Sequence, residues 1–270
     1  MSSKPFQFKQ FSVAQDRCAM KIGTDGVLLG AWTNLSDHPN SILDIGTGTG
    51  VIALMLAQHS DAQTIDGLEL DDNAFEQAAG NFENSPWGDR LFCYHAHLYE
   101  FATEIDDEYD LIVCNPPFFD EQLSDDSKRL LRLRSQLDGA SEEARENARF
   151  EDAMPFDLLV GAVAKLLAPG GQFNVILPYD REESFIALCD QVNLHPSRIT
   201  RVRGTTSSAV KRSLMEFRFF DGENDLSVVD DKSGDFRESA IKISELIIEK
   251  SRHNYTEDYI ALVKDFYLKM

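Results

Sequence analysis

Residues 110–118 read DLIVCNPPF, a mostly apolar run that stops at an asparagine and two prolines. The apolar residues predict a buried β-strand. Proline has no backbone N–H and a fixed φ, so two prolines in succession cannot continue a sheet. The chain must therefore leave the sheet at Asn115, with this amide at the carboxyl end of the strand. Ligands bind at that end of the strands in open parallel α/β sheets.

A second candidate binding segment lies earlier in the chain. Residues 41–45 form a short apolar run that continues into the glycine-rich turn Gly46-Thr47-Gly48-Thr49-Gly50 and then into a predicted helix from residue 51. Glycines let a ligand approach the backbone, and the N-terminus of a helix favours electron-rich groups. Glu69 ends the next predicted strand, 23 residues beyond Gly46. This is close to the offset of about 20 residues at which an acid meets ribose hydroxyls in nucleotide-binding folds.

The charge next to the glycine turn favours one class of cofactor. Asp44, at the tip of the first of these strands, places a carboxylate beside the turn. A carboxylate repels a pyrophosphate but attracts an ammonium group. S-adenosylmethionine carries a ribose and an amino-acid ammonium and has no phosphate. We therefore expect Asp44, Gly46, Gly48 and Glu69 to bind S-adenosylmethionine rather than a dinucleotide.

The alternation of strand and helix patterns predicts the fold class. It indicates a seven-stranded, mostly parallel Rossmann-like sheet with helices on both faces. Residues 214–220 alternate in polarity and are predicted as an antiparallel edge strand, while residues 241–248 are compatible with a strand or a helix. Thr24 or Asp25 is predicted to cap a helix that ends near Trp32. We expect a single domain, with an N-terminal cap segment (1–36), a core sheet (37–220) and a C-terminal extension packed on the core (221–270).

Composition limits the possible partners. The 270 residues carry a net charge of −20, which argues against nonspecific binding of nucleic acid by the molecule as a whole. Basic residues nevertheless cluster in two islands. These are either solvated faces or RNA-binding surfaces, and the RNA-binding candidates are Lys128, Arg129, Arg132, Arg201, Arg203, Lys211 and Arg212.

The sequence contains neither a metal-binding pattern nor a membrane-spanning run. The four cysteines are far apart, with no histidine at metal-ligand spacing, so no metal site is predicted. No apolar run approaches the roughly 20 residues of a membrane span, and the N-terminus has no apolar signal core. We expect a cytoplasmic protein.

The Asn115 segment predicts transfer of a methyl group to a planar NH2. The Asn115 side-chain oxygen and the Pro116 carbonyl can each accept one amino hydrogen, which points the nitrogen lone pair at a sulfonium methyl. Phe118 would stack on a base rotated out of its helix. The alternative is a strand-ending turn with Phe118 in the core. The charged stretch of about 36 residues after Phe118 is either a lid or substrate reader, or an insertion without a role.

The chain resembles a known family through six short segments: residues 6–11 (FQFKQF), 16–21 (DRCAMK), 23–32 (GTDGVLLGAW), 43–46 (LDIG), 85–87 (SPW) and 266–268 (FYL). It is similar to the class I S-adenosylmethionine-dependent methyltransferases. Within them it resembles the bacterial valine-tRNA adenine-N6 methyltransferases, which act on adenosine 37. The resemblance implies a tRNA substrate. It also implies that Gly46, Gly48, Glu69 and Asn115 contact the cofactor or substrate, as do Thr24 and Asp25.

Two departures from the family pattern keep other functions open. His97 stands where an acid near the cofactor adenine is usual, and Phe118 replaces the usual tyrosine. The phenylalanine variant also occurs in ribosomal-RNA methyltransferases that act on adenine N6 or guanine N2. A release-factor glutamine N5-methyltransferase would present a similar planar NH2 to Asn115. The alternative outside catalysis is a scaffold that binds the cofactor or RNA.

Overall fold

The computed structural model describes residues 4–18, 20–117, 154–220 and 241–270. Residues 1–116 and 156–270 belong to one compact unit. Phe118, nearly all of the long charged stretch that follows it, and residues 221–239 lie outside the described residues. The same holds for Lys128, Arg129 and Arg132.

The first half of the chain alternates short strands and helices. Its elements are β1 (Phe6–Gln7), β2 (Ser12–Val13), α1 (Thr24–Trp32), β3 (Ser41–Ile45), α2 (Val51–His59), β4 (Thr64–Glu69), α3 (Asp72–Glu83), β5 (Leu91–His95), α4 (Leu98–Glu104) and β6 (Tyr109–Cys114).

The second half supplies longer strands. Its elements are α5 (Phe156–Leu166), β7 (Leu167–Pro178), a short 3₁₀-helix (Tyr179–Arg181), α6 (Glu182–Asp190), β8 (Leu194–Thr205), β9 (Val210–Phe219), β10 (Lys242–Ser251), β11 (Asn254–Tyr255) and α7 (Glu257–Val263).

In the described part of the chain, β3 to β11 form one sheet in the order β11-β10-β8-β9-β7-β6-β3-β4-β5. The five strands from β7 to β5 along this order are parallel to one another. The predicted class of fold is confirmed, but the sheet has nine strands instead of seven because β10 and β11 join it. Residues 214–219 of the predicted segment 214–220 fall on β9, which is antiparallel as predicted. This strand is internal rather than at the edge, since it pairs with both β7 and β8.

Helices cover both faces of the sheet. On one face α1, α2, α3 and α7 share a buried cluster with side chains of the strands. Gly30 lets α1 approach α2 closely, because a Cβ at this position would lie 2.9 Å from the Met55 Sδ. On the other face α5 packs against α4 and α6, over the buried rings of Phe173, Phe185 and Phe217. None of the described helices is long and apolar enough to cross a membrane.

The two ends of the chain meet on the α1–α2 face. The Lys9 N–H donates to the Phe266 carbonyl at 2.8 Å, and Phe8 forms an antiparallel bridge with Tyr267. The Phe266 ring is fully buried and lies 4.5 Å from the His59 ring on α2. The C-terminal residues therefore complete the core beside the N-terminal hairpin.

We predict that Phe266→Ala lowers the free energy of unfolding by about 3–5 kcal/mol, the usual cost of a large cavity in a packed core. Chemical denaturation measures the change. The control is Leu268→Ala, two residues away, whose side chain is 57% exposed and whose loss should leave stability nearly unchanged. Equal stabilities of the two variants would contradict the packing described above.

Candidate active site

The carboxyl ends of three neighbouring strands bring the main candidate residues into one row. β3 lies between β6 and β4, and Ile45 pairs with Cys114 on one side and with Leu68 on the other. Asn115 follows Cys114 of β6, Gly46 follows Ile45 of β3, and Glu69 follows Leu68 of β4. The predicted acceptor amide, the glycine turn and the ribose-binding acid thus share one edge of the sheet.

The turn after β3 requires glycine at three positions. Gly46, Gly48 and Gly50 have φ values of 68°, 57° and 78°, a region that side chains disfavour. A Cβ on Gly50 would lie 2.5 Å from the Phe82 ring, so this glycine also permits close packing on α3. A Cβ on Gly48 would meet no atom within 4 Å. The turn therefore leaves open space over the backbone at Gly48.

Glu69 is held rigidly at the end of β4. Its Oε2 accepts the Gly48 N–H at 2.8 Å, and its Oε1 accepts the N–H groups of Leu70 and Asp71 at 2.8 and 2.9 Å. Each carboxylate oxygen has about two acceptor sites, so Oε2, with one N–H partner, can accept a further hydroxyl hydrogen. Glu69 consequently links the glycine turn to β4 and keeps one acceptor site for a ligand hydroxyl.

Asp44 is a buried carboxylate with one unsatisfied oxygen. Its Oδ2 accepts the Thr47 hydroxyl at 2.6 Å and the Ala53 N–H at 3.2 Å. Its Oδ1 has no hydrogen-bond partner among the described residues. Burial, with a smaller contribution from nearby Glu69, raises the pKa of Asp44 to about 7. An unpaired acceptor of this kind is costly unless a ligand donor completes it.

Asn115 carries the second unsatisfied acceptor at this edge. Its Oδ1 is buried and has no hydrogen-bond partner among the described residues. The following residue, Pro116, is buried as well. The amide therefore lies at the end of β6 with an oxygen available to a donor that the described residues do not supply.

The start of α1 differs from the prediction. The helix is capped by Gly23, in extended conformation and without a side-chain cap bond, so neither Thr24 nor Asp25 is the N-cap. Thr24 is exposed in the first turn. The Asp25 carboxylate accepts the Arg212 Nε–H at 2.8 Å, which directs it towards β9. An extended glycine fits this junction as well as a capping side chain does, and Asp25 has a stronger partner elsewhere.

His97 lies two residues beyond β5 and caps α4. Its Nδ1 accepts the Tyr99 N–H at 3.2 Å. Glu69 pairs with His95 in the sheet, so His97 follows the strand next to the one that ends at Glu69. The imidazole thus occupies the same edge at which the predicted adenine contact belongs.

Thr47 and Asn81 are site residues that the sequence did not reveal. Thr47 donates to Asp44, and its side chain packs over Gly67, where a Cβ would lie 2.9 Å from the Thr47 Cγ2. Asn81 on α3 donates to the carbonyls of Thr49 and Ala14 and accepts the Ala14 N–H. The sequence signal that could have revealed Asn81 was an amide on the apolar face of an amphipathic helix. The amide fastens the N-terminal segment to the glycine turn.

The described RNA-binding candidates lie at the same edge of the sheet. β9 starts where β7 ends, with Arg212 opposite Pro178, and β8 ends beside the start of β9. Three of the arginines have acidic partners: Arg201 pairs with Glu182, Arg203 with Glu245 and Arg212 with Asp25. Lys211 is exposed.

The residues present fit S-adenosylmethionine. The unsatisfied Asp44 Oδ1 suits an ammonium donor, Glu69 suits ribose hydroxyls, and the open backbone at Gly48 admits the cofactor. The residues that the structure describes contain no group of three or more His, Cys, Asp or Glu side chains placed to hold a metal ion.

The comparisons with known proteins identify a methyltransferase family. Residues 22–133 match the family model described as Methyltransferase small domain. A tRNA1(Val) (adenine(37)-N6)-methyltransferase of Christiangramia forsetii is 50% identical over the full length of both chains. Another, of Flavobacterium psychrophilum, is 52% identical over 98% of this chain and its own full length.

Solved structures share the fold at low identity. A predicted O-methyltransferase from Agrobacterium tumefaciens has a TM-score of 0.59 at 17% identity and covers 90% of this chain and 96% of its own. A putative class I S-adenosylmethionine-dependent methyltransferase from Listeria monocytogenes has a TM-score of 0.51 at 16% identity. It covers 89% of this chain and 68% of its own.

The edge formed by β3, β4 and β6 thus combines a cofactor-binding turn with an acceptor amide in a chain that is half identical to full-length curated relatives. The protein is an S-adenosylmethionine-dependent methyltransferase, and its chain belongs to the tRNA1(Val) (adenine(37)-N6)-methyltransferase family.

Proposed function

We propose that the protein transfers a methyl group from S-adenosylmethionine to N6 of an adenosine in tRNA, at position 37 of a valine tRNA. The observation that carries this proposal is the buried, unsatisfied Oδ1 of Asn115 at the carboxyl end of β6, one strand away from the glycine turn. The names of relatives at 50–52% identity support the choice of substrate.

The donor half of the site binds the cofactor through β3, β4 and β5. Asp44 pairs with the ammonium, Glu69 accepts from the ribose hydroxyls, and Gly46 and Gly48 admit the cofactor against the backbone. His97, Thr24 and Asp25 line the approach to this half. When bound, the cofactor would supply a methyl group from a sulfonium, whose sulfur leaves as a neutral thioether, so no covalent intermediate on the protein is needed. The nitrogen gives up one amino proton to solvent in exchange for the methyl group.

The acceptor half orients the amino group of the base. The Asn115 Oδ1 and the Pro116 carbonyl each accept one amino hydrogen, which turns the nitrogen lone pair towards the cofactor side of the edge. These two hydrogen bonds hold the amino hydrogens out of the ring plane. The nitrogen lone pair is then less delocalised into the ring, so the nitrogen is more nucleophilic. Phe118, which lies outside the described residues, remains the sequence-based candidate for stacking on the base. The protein contributes positioning and polarisation by acceptors that are already in place.

The basic residues of β8 and β9 contact the RNA backbone. Arg201, Arg203, Lys211 and Arg212 lie at the same edge as Asn115, so a phosphate chain that crosses this edge can present its base to the amide. Lys128, Arg129 and Arg132 remain RNA-binding candidates from the sequence and lie outside the described residues. Arg201, Arg203 and Arg212 each have an acidic partner, so the patch acts through exposed Lys211 and the exposed parts of the arginine side chains. Salt screens the rest of the net charge of −20 beyond about 8–10 Å.

We predict that Asn115→Ala retains S-adenosylmethionine affinity but lowers kcat/KM for tRNA by about 10²- to 10³-fold, the usual effect of removing one preorganised polar contact to the reacting group. Calorimetric titration measures cofactor binding, and transfer of labelled methyl groups to tRNA measures turnover. Unchanged turnover would exclude Asn115 as the acceptor of the amino hydrogens.

We predict that cofactor affinity depends on the ionisation of Asp44. Below a pKa of about 7 the carboxyl is protonated and cannot pair with an ammonium, so the cofactor should bind about tenfold more weakly at pH 6 than at pH 8. Titration with S-adenosylmethionine at each pH gives the profile.

Two variants separate Asp44 from its surroundings. Asp44→Asn should bind the cofactor weakly with a flat pH profile. His97→Gln removes the imidazole at this edge and should keep the profile of the wild-type protein. A pH dependence that disappears in His97→Gln and persists in Asp44→Asn would show that Asp44 is not the titrating residue.

A further inference from the structure

Tyr179 is an exposed aromatic residue at the carboxyl edge of the sheet with no role in the functions assigned above. It directly follows Pro178, the last residue of β7, and its side chain is 41% exposed. β7 pairs with β6, and Val175 lies opposite Cys114. Asn115 therefore aligns with Ile176, three residues before Tyr179.

This spacing places Tyr179 close to the acceptor amide. Three residues correspond to about 10 Å along a strand, and neighbouring strands lie about 4.8 Å apart. A base that contacts Tyr179 therefore belongs to a nucleotide near the one held by Asn115. An exposed tyrosine ring at such a place is a sequence-tolerant stacking surface for a base.

Arg201 on β8 lies over the Tyr179 ring, with its Cζ 5.5 Å from the ring centroid. Its guanidinium is held by Glu182: Nη2 donates to Oε1 at 2.7 Å, and Nε donates to Oε1 at 3.1 Å. Glu182 is buried and also accepts the hydroxyl of the fully buried Ser213. Ser213 on β9 thus holds Glu182 on α6, and Glu182 in turn holds the Arg201 guanidinium.

The ion pair leaves part of the arginine available. Glu182 takes Nε and Nη2, and the planar fork directs Nη1 away from that edge of the guanidinium. The Arg201 side chain remains 35% exposed. With Arg201 partly exposed, solvent screens the attraction, so this ion pair contributes little to stability by itself. Its evident effect is to hold a cationic group rigidly beside an exposed ring.

We propose that Tyr179 and Arg201 form a nucleotide-binding subsite, in which the ring stacks on a base next to the target adenosine and Nη1 binds a backbone phosphate. This inference rests on the proposed function, because it deepens the description of how the RNA is held. The subsite acts on substrate binding and not on the methyl transfer itself. It also gives a reason for the arrangement of Glu182 and Ser213, which position Arg201.

The test compares Tyr179→Ala and Tyr179→Phe with the wild-type enzyme on an unmodified valine-tRNA transcript. Loss of the stacking surface should raise the Kd and KM for tRNA roughly 5- to 150-fold, with kcat within about twofold and S-adenosylmethionine affinity unchanged. Phenylalanine keeps the ring and should restore binding. The control is Tyr94→Ala, a tyrosine with the same 41% exposure on β5, which should leave the KM unchanged.

Arg201→Lys tests the second component. It keeps the charge but loses the fork, so tRNA affinity should fall several-fold. Arg218→Lys is the matched control, because Arg218 also pairs with a buried acid, Glu216. Arg218 lies near the end of β9, whereas Arg201 on β8 lies opposite Ser213, near the start of β9. Equal effects of the two substitutions would remove Arg201 from the subsite.

The outcomes separate the two proposals. Active wild-type enzyme with an unaffected Tyr179→Ala variant, or a Phe variant as impaired as the Ala variant, would overturn the subsite alone. A wild-type protein that neither binds nor methylates tRNA would overturn both the subsite and the proposed function.

Discussion

The parallel pairing of β3 with both β4 and β6 is the constraint on which the site depends. It fixes Gly46, Glu69 and Asn115 at one level of the sheet, each one residue past a hydrogen-bonded pair. A shift of register by one residue would turn every side chain of a strand to the other face. The distance between the cofactor-binding turn and the acceptor amide is therefore set by backbone hydrogen bonds, and the loops do not have to maintain it.

Two unsatisfied acceptors at this edge have the same physical meaning. The Asp44 Oδ1 and the Asn115 Oδ1 are buried without a hydrogen-bond partner among the described residues. Each such group costs about 1–3 kcal/mol in a folded protein. Under the proposed function two ligands supply the donors, an ammonium for Asp44 and an amino group for Asn115. Stability given up in the free protein is recovered as binding energy and as orientation of the reacting groups.

Much of the site was predictable because its residues follow one another in the chain. The apolar runs and the prolines at 116 and 117 located the end of β6, and the glycine turn located the end of β3. The joining of β10 to β8 was not predictable, because it pairs residues about 44 positions apart and has no local sequence signal. The partners of Arg201, Arg203 and Arg212 are equally a matter of tertiary structure. Sequence showed a basic island, whereas the structure shows that each of these arginines has its own acid.

The most direct test of the central claim is the transfer of labelled methyl groups from S-adenosylmethionine to total tRNA, ribosomal RNA and a release factor, followed by nucleoside and amino-acid analysis of the product. The account predicts label in tRNA as N6-methyladenosine. Label recovered from ribosomal RNA or as N5-methylglutamine, with tRNA unlabelled, would contradict it.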